Sequence, residues 1–187
     1  MKRCILALAL VAGSSTALAS EVYVGAAYSQ LGYGKVAYST EVESDNGFAA
    51  TLGYNFIFGD TFTLGTEIEY KDLGGVVEKE SVGTGNYVQM DLSATSVGVN
   101  AVPKFYMNDN FYILGKVGMH NVSYTAKFDS NVAMGSQKEV SDSSVEFGFG
   151  AGVGYHFGQF TAQTTYEVIT IDSTEISAIN IGAQYNF

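Results

Sequence analysis

From residue 20 onward, apolar and polar residues alternate with a period of two, the signature of β-strands. In 144–157 the odd positions read Val145, Phe147, Phe149, Ala151, Val153, Tyr155 and Phe157. The even positions read Ser144, Glu146, Gly148, Gly150, Gly152, Gly154 and His156. In 48–56 the faces are Phe48, Ala50, Leu52, Tyr54 and Phe56 against Ala49, Thr51, Gly53 and Asn55. In 62–71, Phe62, Leu64, Thr66, Ile68 and Tyr70 oppose Thr63, Gly65, Glu67, Glu69 and Lys71. The last segment sets Ile179, Ile181, Ala183, Tyr185 and Phe187 against Asn180, Gly182, Gln184 and Asn186. Carried along the chain, the pattern predicts eight strands: 21–31, 47–57, 61–72, 87–106, 111–125, 144–157, 160–172 and 175–187. The fourth changes phase between Val88, Met90, Leu92, Ala94 and Val97, Val99, Ala101, Phe105, so a bulge is expected near Thr95–Ser96. Pro103 cannot donate to a ladder and must sit where no donor is needed.

The connections fall into two sets. Residues 58–60, 107–110 and 158–159 read as tight turns. Residues 32–46, 73–86 and 126–143 read as long polar loops, and the last connection, 172–174, is short. Alternation of short turns with longer loops is the pattern of an outer-membrane barrel, and places both termini on the periplasmic side.

A soluble β-sandwich would alternate too, so the side that faces out must be read from other features. The polar faces carry Gly, Thr, Asn and Glu, with few of the Lys and Arg that cover a water-exposed sheet. Aromatics gather at strand ends, where a membrane barrel has its interfacial girdles. In lipid every backbone group must be paired, so strands cross only as a closed barrel. The expected architecture is an all-β, eight-stranded, antiparallel up-and-down transmembrane barrel with its apolar side outward.

The amino end supports secretion. Lys2 and Arg3 precede the apolar run 4–12, and Ala17-Leu18-Ala19 supplies an A-x-A exit. That order is a secretory signal peptide, and the run is far shorter than the ~20 residues of a spanning helix. The domain reading is 1–19 signal peptide and 20–187 barrel. Cys4 leaves with the signal, so the mature chain has no cysteine, and its charge moves from −10 to −12, with 7 basic residues against 19 acidic. Such a chain has no basic face for nucleic acid.

The carboxyl end reads Asn180-Ile181-Gly182-Ala183-Gln184-Tyr185-Asn186-Phe187. Gly182, Tyr185 and Phe187 resemble the terminal signature by which the barrel-assembly machinery recognises bacterial outer-membrane proteins. With the opening Tyr23-Val24-Gly25-Ala26-Ala27-Tyr28 and the Gly-aromatic strands, the whole mature chain resembles the small eight-stranded barrels. These are the OmpA transmembrane domain, OmpX and the opacity-type surface proteins. The resemblance implies outer-membrane lipid and lipopolysaccharide as surroundings. It implies a structural or adhesive role rather than a named activity. OmpA adds a peptidoglycan-binding domain; this chain is expected to stop at the barrel, so that role does not carry over.

Eight strands enclose a lumen that side chains fill. Parity sends Glu67, Glu69, Lys71, Asn100, Lys104, Lys116, Glu146, Glu167, Asn180 and Gln184 inward. The expected lumen network is Glu67, Glu69, Lys116, Glu146, Glu167 and Asn180, with Lys116 paired to Glu67 or Glu167, since a buried lone ammonium costs several kcal/mol. Such a network is a polar plug, or alternatively the gate of a narrow porin-like channel. A lipid-A-modifying enzyme is the other alternative. His120 and His156 lie roughly 30 Å apart along the strand direction at ~3.3 Å per residue, too far to share a site. His120 faces inward, Ser123 has the opposite parity, and neither zinc ligands nor a cofactor motif is present, so no cofactor is expected. Glu41, Glu43, Asp45, Glu78 and Glu80 stud two loops. They read as a solvated acidic surface, or as collectors of Ca²⁺ or Mg²⁺ near lipopolysaccharide phosphates. A partner of the cell exterior would be met through loops 32–46, 73–86 and 126–143.

Overall fold

The computed structural model describes residues 20–33, 46–81, 87–130, 138–171 and 174–187. The predicted signal segment 1–19 and the acidic residues Glu41, Glu43 and Asp45 lie outside them. Eight strands follow one another: β1 (Ser20–Tyr33), β2 (Asn46–Ile57), β3 (Phe62–Ser81), β4 (Tyr87–Tyr106), β5 (Phe111–Ser130), β6 (Lys138–Phe157), β7 (Phe160–Ile171) and β8 (Thr174–Asn186). Each pairs antiparallel with its chain neighbour, and β1 pairs with β8, from Tyr23↔Asn186 to Tyr33↔Ile176, to close the barrel. Closure leaves no open edge within the ring, which a hydrocarbon surrounding demands.

The barrel is inverted relative to a soluble protein. Val24, Leu52, Ile68, Val97, Val117 and Ile181 are exposed on its outer wall, while Glu67, Glu69, Lys71, Lys104 and Lys116 are buried inside. Aromatic rings flank the outer band. At the turn end Phe58–Phe62–Phe105 run in contact (5.8 and 4.9 Å between centroids), as do Phe160–Tyr185–Phe187 (5.3 and 5.0 Å). At the loop end Phe48 and Tyr70 meet at 5.8 Å, and Tyr28, the ladder partner of Phe48, is exposed as well, as are Phe147 and Tyr166.

Four sequence expectations change. Residues 73–81 of the expected loop 73–86 continue β3; likewise 126–130 and 138–143 of the expected loop 126–143 continue β5 and β6. Similarly 32–33 and 46 of the loop 32–46 are strand. The phase change expected as a bulge in β4 is not there: β4 pairs with β5 in one register from Val88↔Ser130 to Tyr106↔Tyr112. The irregularity lies across the ladder on β3, between Asp72 and Gly75, where Gly74 takes φ 70° and its amide donates to Asp72 Oδ1 at 3.0 Å. Even residues of β4 point inward, and Ala94 packs on an apolar cluster in the lumen. The apolar phase changes because the inner face becomes greasy there. Pairing with β5 skips Val102 and Pro103, the site with no amide to give.

Strand length is uneven. β3, β4, β5 and β6 have 20 residues each, while β1, β2, β7 and β8 have 14, 12, 12 and 13. At about 3.3 Å per residue, the long strands outreach the short ones by roughly 20–25 Å. The excess lies at the loop end, as a four-stranded sheet rising from one side of the ring.

Candidate functional site

The lumen is filled in layers. Its middle layer is ionic. Lys116 on β5 contacts Glu67 Oε2 (3.2 Å) and Glu69 on β3, and Glu167 Oε1 on β7 (3.3 Å). Lys71 pairs with Glu167 and with Glu69 Oε1 at 3.2 Å. Odd positions of β3 and β7 and even positions of β5 point inward, which converges these five groups from three strands. Hydrogen bonds extend the layer. Thr165 Oγ1 donates to Glu167 (2.9 Å), Asn180 Nδ2 to Thr165 (3.0 Å) and Ser29 Oγ to Asn180 Oδ1 (2.6 Å). Toward the loop end, Asn100 Nδ2 reaches Glu69 at 3.5 Å, His120 Nε2 donates to Asn100 Oδ1 at 3.0 Å, and Ser96 Oγ lies 3.2 Å from His120 Nδ1.

Glu67, Glu69, Lys116, Glu167 and Asn180 thus meet in one connected network. Glu146 stands apart: it is half-buried, opposite His120 in the ladder, and four residues up β6 from Gly150, the ladder partner of Lys116. Among the described residues it makes no ion pair. The network also contains Lys71, Thr165, Ser29, Ser96 and His120. Lys71 and His120 carry the inward parity in the sequence, which signals their place without naming their partners.

Apolar layers close both sides of the ionic one. Toward the loop end Leu31, Leu73, Val122, Ile169 and Ala178, from five strands, meet across the lumen. Toward the turn end Val102, Tyr112 and Leu114 cluster with Tyr106. Beside them Tyr23 and Tyr112 are both 0% exposed. Lys104 lies 4.5 Å from the Tyr23 ring centre and 5.7 Å from that of Tyr112, and donates to Asn55 Oδ1 at 3.0 Å. Tyr23 in turn donates to Glu67 Oε1 at 2.9 Å, tying this layer to the ionic one. Below, His156 is held between Tyr106 Oη (2.9 Å) and Thr161 Oγ1 (2.6 Å). Three buried carboxylates face three buried lysines across the lumen, so the filling balances in formal charge. A cavity of about 20 Å³ remains beside Lys116, Glu167 and Gln184, room for about one water.

The Ser96–His120–Asn100 chain has the connectivity of an acyl-transfer relay, yet Ser96 is 1% exposed and pairs in the ladder with Val122 of the apolar layer. Among the described residues, no group of three or more His, Cys, Asp or Glu could hold a metal ion. The expected assembly residues sit on β8. Tyr185 and Phe187 are on the outer wall at the turn end, in edge contact, and Gly182 lies inward against Ala27, whose Cβ would be 2.7 Å from an added methyl.

The outward apolar wall, closed ladder and filled lumen have a counterpart among known sequences. The model of the outer membrane protein beta-barrel domain matches residues 4–187. The chain belongs to that family. Its wall sits in the outer membrane, against lipid. Solved structures agree at the level of fold. The attachment invasion locus protein Ail of Yersinia pestis, crystallised with the heparin analogue sucrose octasulfate, is 22% identical with a TM-score of 0.56, over 90% of this chain and 97% of that one. Neisserial surface protein A is 17% identical (TM-score 0.52; 90% and 97%). The N-terminal β-barrel domain of Pseudomonas aeruginosa OprF is 14% identical (TM-score 0.50; 89% and 97%). No curated protein sequence matches the chain.

Proposed function

We propose that this chain is a non-conducting surface barrel that contributes to envelope structure and binds a partner through its loop end. In this reading residues 1–19 direct export, Gly182, Tyr185 and Phe187 present β8 to the assembly machinery, and both termini remain in the periplasm. The long-stranded sheet then rises outside the cell with segments 73–86 and 126–143, and 32–46 joins the shorter β1 and β2 at the same end. The observation that carries the reading is the one-sided extension of β3 to β6. Four strands continued about 20 Å beyond the apolar band serve no purpose in lipid, and rigidly raise whatever recognition surface they bear.

Charge narrows the partner. Segments 34–45, 72–95, 123–147 and 172–175 hold thirteen Asp and Glu against four Lys. A polysulfated ligand such as that bound to Ail would be repelled here; a cationic peptide or protein surface is the class that fits. The layered lumen argues against the narrow-pore alternative, because ions would have to cross two apolar layers. Burial of Ser96 and His120 argues against lipid-A chemistry at that site.

The test uses Lys127→Cys, placed on the exposed extension in a mature chain without other cysteines. A membrane-impermeant maleimide should label it on intact cells. The refolded barrel in nanodiscs should bind a cationic peptide in a salt-sensitive manner and ignore sucrose octasulfate. Labelling only after the outer membrane is broken, or preference for the polyanion, would overturn the reading.

A further inference from the structure

On the outer face of the raised sheet, side-chain chemistry changes row by row. Ladder register aligns Val99–Met119–Phe147 and then Val97–Asn121–Val145 across β4, β5 and β6, with Tyr70 of β3 beside Val97. These rows end the apolar band. The next two are Thr95–Ser123–Ser143 and Ser93–Thr125–Ser141. One step beyond, Asp91 stands opposite Lys127. Across β4, β5 and β6 the two middle rows hold six hydroxyls and no other side-chain group; β3 continues them with Asp72 opposite Thr95 and Gly75 opposite Ser93. Ser93, Ser123, Ser141 and Ser143 are exposed, and Thr95 and Thr125 half-exposed. Among the described residues none of the six hydroxyls hydrogen-bonds to protein; the one polar contact there is the Ser143 amide donating to Asp142 Oδ1 at 2.8 Å. Strand geometry spaces the array at about 4.8 Å across and about 6.7 Å along the strands.

We propose that this hydroxyl ladder is a contact site for the sugar headgroup of the lipopolysaccharide around the barrel. The inference rests on the reading that the loop end faces the cell exterior. Height is the first argument. The ladder follows directly on the lipid-facing rows, so a glycolipid whose acyl chains lie on Met119 and Phe147 carries its sugars onto Ser123 and Ser143. That continuity favours a membrane-bound glycan over a soluble one.

Charge is the second argument. Lipopolysaccharide bears phosphates, which the acidic loop end repels, whereas the six ladder positions are neutral. Each hydroxyl donates one hydrogen bond and accepts two, the same capacity as a sugar hydroxyl. Finally, β1, β2, β7 and β8 stop near this level and β3 brings Asp72 and Gly75 to these rows, so β4, β5 and β6 alone offer a hydroxyl face.

The test compares the full refolded chain with the variant Ser123→Ala/Thr125→Val/Ser143→Ala in liposomes. Heat-dependent gel mobility verifies that both are folded. The liposomes contain phosphatidylcholine alone, or with added rough lipopolysaccharide, lipid A, or phosphatidylglycerol. Rough lipopolysaccharide should raise the thermal unfolding midpoint of the natural chain, and the variant should lose at least half of that gain. Lipid A, whose glucosamines lie directly above its acyl chains, should behave like rough lipopolysaccharide, and phosphatidylglycerol should give both proteins equal gains. An undiminished gain in the variant, a ladder-dependent gain from phosphatidylglycerol, or an equal effect of free core oligosaccharide would overturn the proposal. Liposomes present lipopolysaccharide at both ends of the barrel, so this result is independent of orientation in cells, which Lys127→Cys labelling reads separately.

Discussion

Glycine is used in this lumen to seat two large rings. A Cβ added to Gly53 would lie 2.1 Å from Cζ of Tyr23, and one added to Gly154 would lie 2.1 Å from Cζ of Tyr112. Each tyrosine therefore lies flat over a glycine of the neighbouring strand. Gly53→Ala and Gly154→Ala should each cost about 1–3 kcal/mol through overpacking. Gly115→Ala, whose Cβ would meet only Pro103 Cγ at 3.5 Å, should be neutral or gain about 0.5 kcal/mol. Urea unfolding in lipid vesicles separates these outcomes. Lys116 is the other residue on which the filling depends, with three carboxylates around it. Lys116→Met leaves Lys71 with Glu69 and Glu167 and strips Glu67 of its lysine, and should cost about 3–5 kcal/mol, because a broken buried pair strands its partner. Conductance should stay low in that variant; large new currents would mark Lys116 as a gate.

At the scale of elements, alternation revealed a strand wherever one face meets lipid and the other a polar lumen. Tyr23 and Tyr112 were harder to place, because an aromatic reads as lipid-facing; the inward glycines Gly53 and Gly154 opposite them were the available signal. Along 140–143 of β6 both faces are exposed and the contrast fades, so the start of that strand read as loop. The apolar layer of Leu31 and Leu73 escaped for a related reason: both lie where the sequence pattern ends a strand or begins a loop, and their partners come from distant segments. Leu73→Ala should cost about 2–4 kcal/mol, through lost burial and the cavity left behind. Gly74, at φ 70°, sets the bulge that turns Leu73 into the lumen; Gly74→Val should destabilise by about 1–2 kcal/mol at that backbone conformation. The β8 terminus is tested differently. Phe187→Ser should lower the amount of folded barrel in cells several-fold while purified chain refolds in detergent as before, since Phe187 is exposed on the outer wall.

As a whole molecule the chain is an apolar cylinder around a filled lumen, extended on one side by four longer strands. The ionic layer was legible in outline from parity, because buried charges must pair. The layers that enclose it were not, because they depend on which strands stand opposite across the lumen. The proposed sealing rests on the sequence of layers: Tyr23, Tyr112 and Lys104 on one side, Leu31, Leu73, Val122, Ile169 and Ala178 on the other. Current through the refolded barrel in a planar lipid bilayer tests this most directly. The account predicts a flat baseline across the physiological voltage range for the natural chain. Discrete, reproducible single-channel openings would contradict it.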